Sequence, residues 1–323
     1  MRKVHAFIEI EKKSDILPRM AKPIRIKGLS RRMPVARAAS RVLGEVLLDL
    51  LRRIPEARNG ESKKAIHDLR VAVKRFREAF RLFRPVLRRK AFRRHREWIE
   101  DLNDALGKVR DHDVALARLR KLIDGLAEPP PSVAALLARL ESERLGAIEA
   151  LEAFLRRLQL EGAPAQLAAH IESIERQAAA RQPAGEFARK RVLERLLEVR
   201  ERWTAARREA TSESLHRVRI ANKRLRYAIE PFSRMLGKEV RRLYRSASRF
   251  HDALGDLHDA DSMAVRLETS MAGASKPERR AWESLSAKIV RRRRVALRRS
   301  LALADELEPL WNAAQRAVEE PPS

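Results

Sequence analysis

From Ser62 to Arg77 the chain reads S-K-K-A-I-H-D-L-R-V-A-V-K-R-F-R, and from Thr211 to Arg226 it reads T-S-E-S-L-H-R-V-R-I-A-N-K-R-L-R. The second stretch repeats the first: His67, Arg70, Lys74, Arg75 and Arg77 recur as His216, Arg219, Lys223, Arg224 and Arg226. Ser62 and Thr211 open the two stretches, and both residue types accept a hydrogen bond from the first free N–H groups of a helix. Further along, D-A-L-G-K-V-R-D-H-D from Asp104 is answered by D-A-L-G-D-L-H-D-A-D from Asp252 in nearly the same phase. Two ordered blocks recurring at one shared spacing point to an internal duplication rather than a chance likeness between helical segments.

Outside these blocks apolar residues return every three to four positions, glycine is scarce at 11, and the 15 prolines fall mostly between such segments. That periodicity is helical. It predicts helices near 35–54, 62–84, 89–107, 110–127, 132–160, 165–181, 186–209, 212–230, 238–255, 258–272 and 278–308. The fold class expected is all-α: two pseudo-symmetric helical bundles from an internal duplication around a basic central cleft or pore. A first repeat spans 34–160, a helical connector 161–185 and a second repeat 186–319, with 34–319 forming one domain. Residues 1–33 form an N-terminal arm in which Val4 to Ile10 alternates weakly; a short strand and an extended arm both fit, and no element is assigned.

At about 100° per residue, His67, Arg70, Lys74 and Arg77 fall within an arc of about 80° on one helix. Leu69, Val73, Phe76, Phe80 and Phe83 occupy the other side. In the second copy Val218, Leu225, Ile229 and Phe232 lie opposite His216, Arg219, Lys223 and Arg226. Each helix thus has an apolar back and a cationic front. Like charges at i,i+3 and i,i+4 repel, so a stripe of this kind implies an anionic partner. Lys63 to Arg96 holds 14 Lys/Arg against two acids, and Arg217 to Arg249 holds 11 against two, so the positive charge is concentrated in equivalent segments. Arg93 and Arg94, matched by Arg241 and Arg242, follow on the next helix of each half, and a short antiparallel turn would bring them beside the histidine-bearing face.

The 323 residues suffice for two ordinary packed units, and a hydrophobic share of 44% excludes a wholly disordered chain. A net charge of +27 calls for nucleic acid, an acidic membrane or inorganic polyphosphate as partner. Without cysteine there is no disulfide framework, thiolate metal site or cysteine nucleophile, which fits a cytoplasmic protein. Charges interrupt every stretch that could otherwise span a bilayer, and Met1 to Met20 has no signal-peptide core.

On the evidence of H-D-L-R-V-A-V-K-R-F-R at His67, H-R-V-R-I-A-N-K-R-L-R at His216, and the L-G-K-V-R-D-H-D and L-G-D-L-H-D-A-D blocks, the sequence resembles the conserved-histidine α-helical domain family, CHAD. The likeness covers nearly all of the chain after about residue 34. It implies a helical bundle in two pseudo-symmetric halves, with basic residues of both lining a central pore or cleft. It also implies binding of inorganic polyphosphate, with some members gathering on polyphosphate granules. The ligand residues it implies are His67, Arg70, Lys74, Arg75 and Arg77 with His216, Arg219, Lys223, Arg224 and Arg226, flanked by Arg93, Arg94, Arg241 and Arg242. The second half departs from the first where His258 answers Arg110 and Ala260 answers His112. Many relatives carry a triphosphate tunnel metalloenzyme domain; the leading residues here are too few for such a barrel, and its activity is not expected.

Three rival readings follow from the residues. Asp104, Asp111, His112 and Asp113, with His251, Asp252, His258, Asp259 and Asp261, could form a metal-dependent phosphohydrolase centre. However, Asp111 and Asp113 lie about 200° apart on a helix, and ion pairing with the neighbouring arginines is the simpler account. Non-specific nucleic-acid binding accounts for the charge, but stacking platforms need aromatics, and these are 5% of the chain. Arg291 to Arg294, Arg298 and Arg299 could meet anionic lipid, though they spread around their helix. The sequence favours a binding protein without cofactor, metal or catalytic residues, with polyphosphate as partner and nucleic acid second.

Overall fold

The computed structural model describes residue 24 and residues 26–87, 89–124, 131–176, 182–271 and 276–319. The weakly alternating segment Val4 to Ile10 lies outside the described residues. The architecture is all-α. In chain order the helices are α1 (Val35–Ala57), α2 (Lys63–Phe83), α3 (Arg89–Ile123), α4 (Pro131–Leu160), α5 (Ala163–Ile174), α6 (Ala184–Arg208), α7 (Ser212–Ile229), α8 (Lys238–Met271) and α9 (Lys276–Glu319). Short 3₁₀ turns, Arg84–Val86 and Glu230–Phe232, close α2 and α7, each around a proline that cannot continue the helix.

The two motif helices are α2 and α7. Ser62 Oγ accepts from Ala65 N–H and Thr211 Oγ1 from Ser214 N–H, both at 3.1 Å, so the caps read from the sequence are formed. Their apolar backs are buried as the periodicity requires: Leu69, Val73, Phe76 and Phe83 on α2, and Val218, Leu225, Ile229 and, just beyond α7, Phe232.

Several boundaries differ from the expectation. The helices predicted at 89–107 and 110–127 are one helix, α3, and those at 238–255 and 258–272 are one helix, α8. Gly107 and Gly255 stand at the ends of the expected segments, but an interior glycine costs a helix only about 1 kcal/mol, and both lie where an arginine of the motif helix packs against α3 or α8. The last helix runs on through Pro309 to Glu319, its extension held by the buried Trp311, Ala314 and Val318. The connector is part of the core, since Leu167, Ile171 and Ile174 of α5 are buried.

Equivalent positions of the two sequence repeats meet each other at two places. Pro34 and Pro183 precede α1 and α6 and pair through reciprocal backbone bonds: Val35 N–H to the Gln182 carbonyl at 2.9 Å and Ala184 N–H to the Met33 carbonyl at 2.8 Å. Phe83 and Phe232, which follow the two motifs, meet edge to face at 5.9 Å, and Phe83 also stacks on Phe187 of α6 at 5.4 Å. One apolar cluster holds residues from α1 through α9, while a second joins the far ends of α3 and α8 to α4 and α9 through Leu116, Leu119, Leu136, Met263, Leu267 and Leu285. Both halves therefore contribute to each cluster.

Phe83 is fully buried where the halves meet. Phe83→Ala is expected to lower unfolding free energy by about 3–5 kcal/mol in urea denaturation. Two separate transitions in the wild-type curve, with the substitution moving only one of them, would contradict a shared core.

Candidate anion-binding site

The fronts of α2 and α7 converge. Lys74 of α2 lies within electrostatic reach of Arg219 and Lys223 of α7 as well as of its own neighbour Arg70. Arg219 likewise senses Arg70 across the halves. Like charges are thus gathered from both motifs into one patch, and the titration of its members reflects this. Burial, followed by Arg70, Arg219 and Lys223, pushes the Lys74 ammonium down to about 7. Burial also lowers Arg219 and Lys223, the latter opposed by Glu78. His67 is pushed down to about 4 by burial and then by the Arg110 guanidinium.

The second repeated block supplies the other wall. Arg70 packs over Gly107, where an added Cβ would lie 3.6 Å from its guanidinium, and Arg219 packs over Gly255 at 4.0 Å. The glycines leave α3 and α8 bare where the motif arginines cross them. Arg70 Nη1 pairs with Asp111 at 3.2 Å, and Arg219 lies within the field of Asp259 and Asp252. His67 faces Arg110, whereas His216 meets His258 with ring centres 4.8 Å apart.

Asp113 and Asp261 do structural work at equivalent places. Arg144 of α4 bonds Asp113 at 2.7 Å and reaches the Gly60 carbonyl ahead of α2; Arg293 of α9 bonds Asp261 at 2.7 Å and reaches Ser212 Oγ at the start of α7. Each arginine ties the second block to the entry of the motif helix. Asp259 pairs with Arg118 across the halves, and Asp256 with Arg299. Of the acids considered as metal ligands, Asp111, Asp113, Asp259 and Asp261 are paired with guanidinium groups, and among the described residues no three of His, Asp and Glu are grouped so as to hold a metal ion.

The fourteen residues read from the sequence divide into groups. His67, Arg70, Lys74, His216, Arg219 and Lys223 form the convergent patch, with Arg77 half-buried on the same stripe of α2. Arg75 and Arg224 lie on the helix flank instead. Arg75 is 6% exposed, ion-paired to Glu230 at 2.8 Å with Asp49 at 3.7 Å, while Arg224 bonds Glu198 at 3.0 Å. Arg226 is 4% exposed, donates to Ser248 Oγ at 3.0 Å and lies over the rings of Tyr227 and Tyr244. Arg93, Arg94, Arg241 and Arg242 are exposed. Along their helices Arg93 and Arg241 each precede the glycine under the motif arginine by about fourteen residues, ~21 Å of helix.

Sequence reasoning named Arg110, His258 and Asp111 in the second repeated block without assigning them to the anion site, and it passed over Arg118, which lies beyond that block. It also missed Glu78, which lies 3.5 Å from Lys223 and also holds Arg81. His251 is buried deeper, and burial followed by Arg226, Arg219, Lys223 and Lys74 holds its imidazole well below the usual range. Asp252 is raised to about 6, chiefly by burial.

The sequence profile described as the CHAD domain matches residues 41–268, which include both motif helices and both second blocks. The chain belongs to the CHAD domain family. No curated protein matches the sequence. Among solved structures, the CHAD domain of the plant Ricinus communis superposes with a TM-score of 0.66 at 22% identity, covering 93% of this chain and 98% of that one. PptA from Streptomyces chartreusis superposes with a TM-score of 0.57 at 16% identity, covering 86% and 99%. At these identities the likeness is one of fold. The CHAD match ends before α9, yet α9 contributes Arg293 and Arg299 to the acid block and Leu303, Leu307 and Trp311 to the core.

The Lys74 ammonium is depressed in the folded protein relative to its ordinary value of 10.5, so the unfolded chain binds more protons between about 7 and 10. Stability should rise with pH across that window, and the penalty of burying the ammonium is fully present below it. Lys74→Met is expected to stabilise the ligand-free protein by about 1–2 kcal/mol at pH 6, an advantage that shrinks by pH 9.5. Urea denaturation of both proteins at the two pH values measures this; a loss of stability at pH 6 would show that Lys74 is not in a repulsive field.

Proposed function

We propose that this protein binds inorganic polyphosphate along the patch formed by α2 and α7, the polymer running through a basic cleft to which both halves contribute. The observation that carries the reading is the convergence of Arg70 and Lys74 with Arg219 and Lys223 from the two motifs. Four cations held together at a cost of burial and mutual repulsion gain most from a partner that delivers several negative charges in one piece. Guanidinium groups offer forked donors to phosphate oxygens and ammonium groups offer compact charge. Family membership supports the same ligand, and granule surfaces are one place where such a polymer would be met.

The patch favours a polyanion without bases. Its lining is Arg, Lys, His and Asp, while Phe76 and Phe83 on the same helix are fully buried and offer no platform for stacking. The role is binding rather than catalysis, since the acids around the patch are engaged by Arg70, Arg118, Arg144 and Arg293. Because the two motifs hold successive phosphates of one chain, affinity should increase with chain length until the patch is filled, and should fall steeply with salt.

The test is a quadruple variant, Arg70→Ala, Lys74→Ala, Arg219→Ala and Lys223→Ala, titrated with labelled long-chain polyphosphate at physiological salt. Affinity is expected to fall by a hundredfold or more while helical circular dichroism is retained, and single-stranded RNA or duplex DNA in excess should displace little polymer from the wild type. Unchanged affinity in the folded variant would place the binding elsewhere. Displacement by RNA at equal phosphate concentration would favour nucleic acid.

A further inference from the structure

The two ends of the patch carry different kinds of charge. At the first, His67 of α2 faces Arg110 of α3, a guanidinium charged at every accessible pH. At the second, the residue in Arg110's place is His258 of α8, and its ring lies 4.8 Å from that of His216 on α7. Two imidazoles replace an imidazole and a guanidinium, so the charge of this end depends on protons.

The surroundings of the pair come from four helices. His216 senses His258, Arg219 and Lys223, the last two on α7. His258 senses Arg219, the carboxylates Asp259 and Asp261 on its own helix, and Arg118 of α3. Both carboxylates are already matched, Asp259 by Arg118 and Asp261 by Arg293 of α9. What remains around the imidazoles is cationic, and burial adds to the cost of charging them. The ligand-free pair is therefore held neutral near pH 7.

We propose that His258 makes the α7–α8 end of the patch proton-gated: a polyphosphate chain engages the Arg110 end without change of protonation and the His216–His258 end with uptake of a proton. This rests on the polyphosphate reading above. A phosphate oxygen arriving beside the rings replaces a repulsive neighbour with an attractive one, so one imidazole takes up a proton and donates it in a charge-assisted hydrogen bond. The second ring, 4.8 Å away, is then disfavoured by its charged partner and stays neutral. Proton uptake means that affinity rises as pH falls, by at most about tenfold per pH unit for one proton.

The experiment is isothermal titration calorimetry of the full chain with long-chain polyphosphate, in which end-group titration is negligible, at pH 5.5, 6.2 and 7.0 and fixed ionic strength. Two buffers of different ionisation heat give the number of protons taken up. The wild type is expected to take up more protons than His258→Arg, and its affinity to rise several-fold more on going from pH 7.0 to 5.5. His258→Arg should bind more tightly than the wild type at pH 7.0. Lys74 titrates in both proteins, so the difference between them isolates the histidine end. Arg110→His is the mirror variant: it should bind more weakly at pH 7.0 and depend more steeply on pH.

Equal proton uptake and equal pH dependence in wild type and His258→Arg, with binding otherwise normal, would overturn the gating while leaving the polyphosphate reading in place. Should His258→Arg fail to fold, a pH profile of Arg110→His no steeper than wild type would do the same. Absence of polyphosphate binding by the wild type at all three pH values would overturn both.

Discussion

Cations that nothing in the fold wants to bring together are brought together by everything else in it. Where equivalent positions of the two sequence repeats meet, an apolar residue meets an apolar residue, as Phe83 meets Phe232, but a charged residue meets its own charge. Lys74 is set beside Lys223, and Arg70 beside Arg219. The apolar backs of α2 and α7 supply the driving force, and the repulsion at their fronts is the cost of that arrangement. Burial first, and then Arg70, Arg219 and Lys223, lower the titration of Lys74, while in Arg219 and Lys223 burial is the leading cause.

The acids limit the repulsion without abolishing it. Glu230 and Asp49 hold Arg75, and Glu198 holds Arg224, so the flanking arginine of each motif is turned into a brace between helices. Glu78 and Asp111 reach Lys223 and Arg70 at the edge of the patch. Asp113 and Asp261, through Arg144 and Arg293, fix the second block against the entry of the motif helix. Most carboxylates near the patch therefore serve to position cations.

How much of this was legible in the sequence depends on which interaction decides each feature. Helix type and the two faces of α2 and α7 were legible because periodicity reports burial, and the duplicated blocks were legible as repeats. Their meeting was not, since a polar stripe does not say what it will face; only Arg70 over Gly107 and Arg219 over Gly255 reveal why both blocks recur. Gly107 and Gly255 stand where the expected segments ended, yet α3 and α8 run through them. Arg75 and Arg224 repeat, and the family resemblance implies them as ligand residues, although their phase sets them on the flank of the stripe. Arg226 shares its phase with Arg77 yet is buried, because Ser248 and Tyr244 of α8 receive it. No local pattern could announce those partners.

A pair of identical subunits would be compelled to repeat every side chain on both sides of its axis. Here the two motifs belong to one chain, and the obligation lapses: Glu78 is answered by Tyr227, Arg81 by Glu230, and Arg110 by His258. The first two exchanges each let a carboxylate of one half reach a cation of the other, as Glu78 reaches Lys223 and Glu230 reaches Arg75. Covalent continuity thus provides freedom to differ, and the patch acquires a head and a tail.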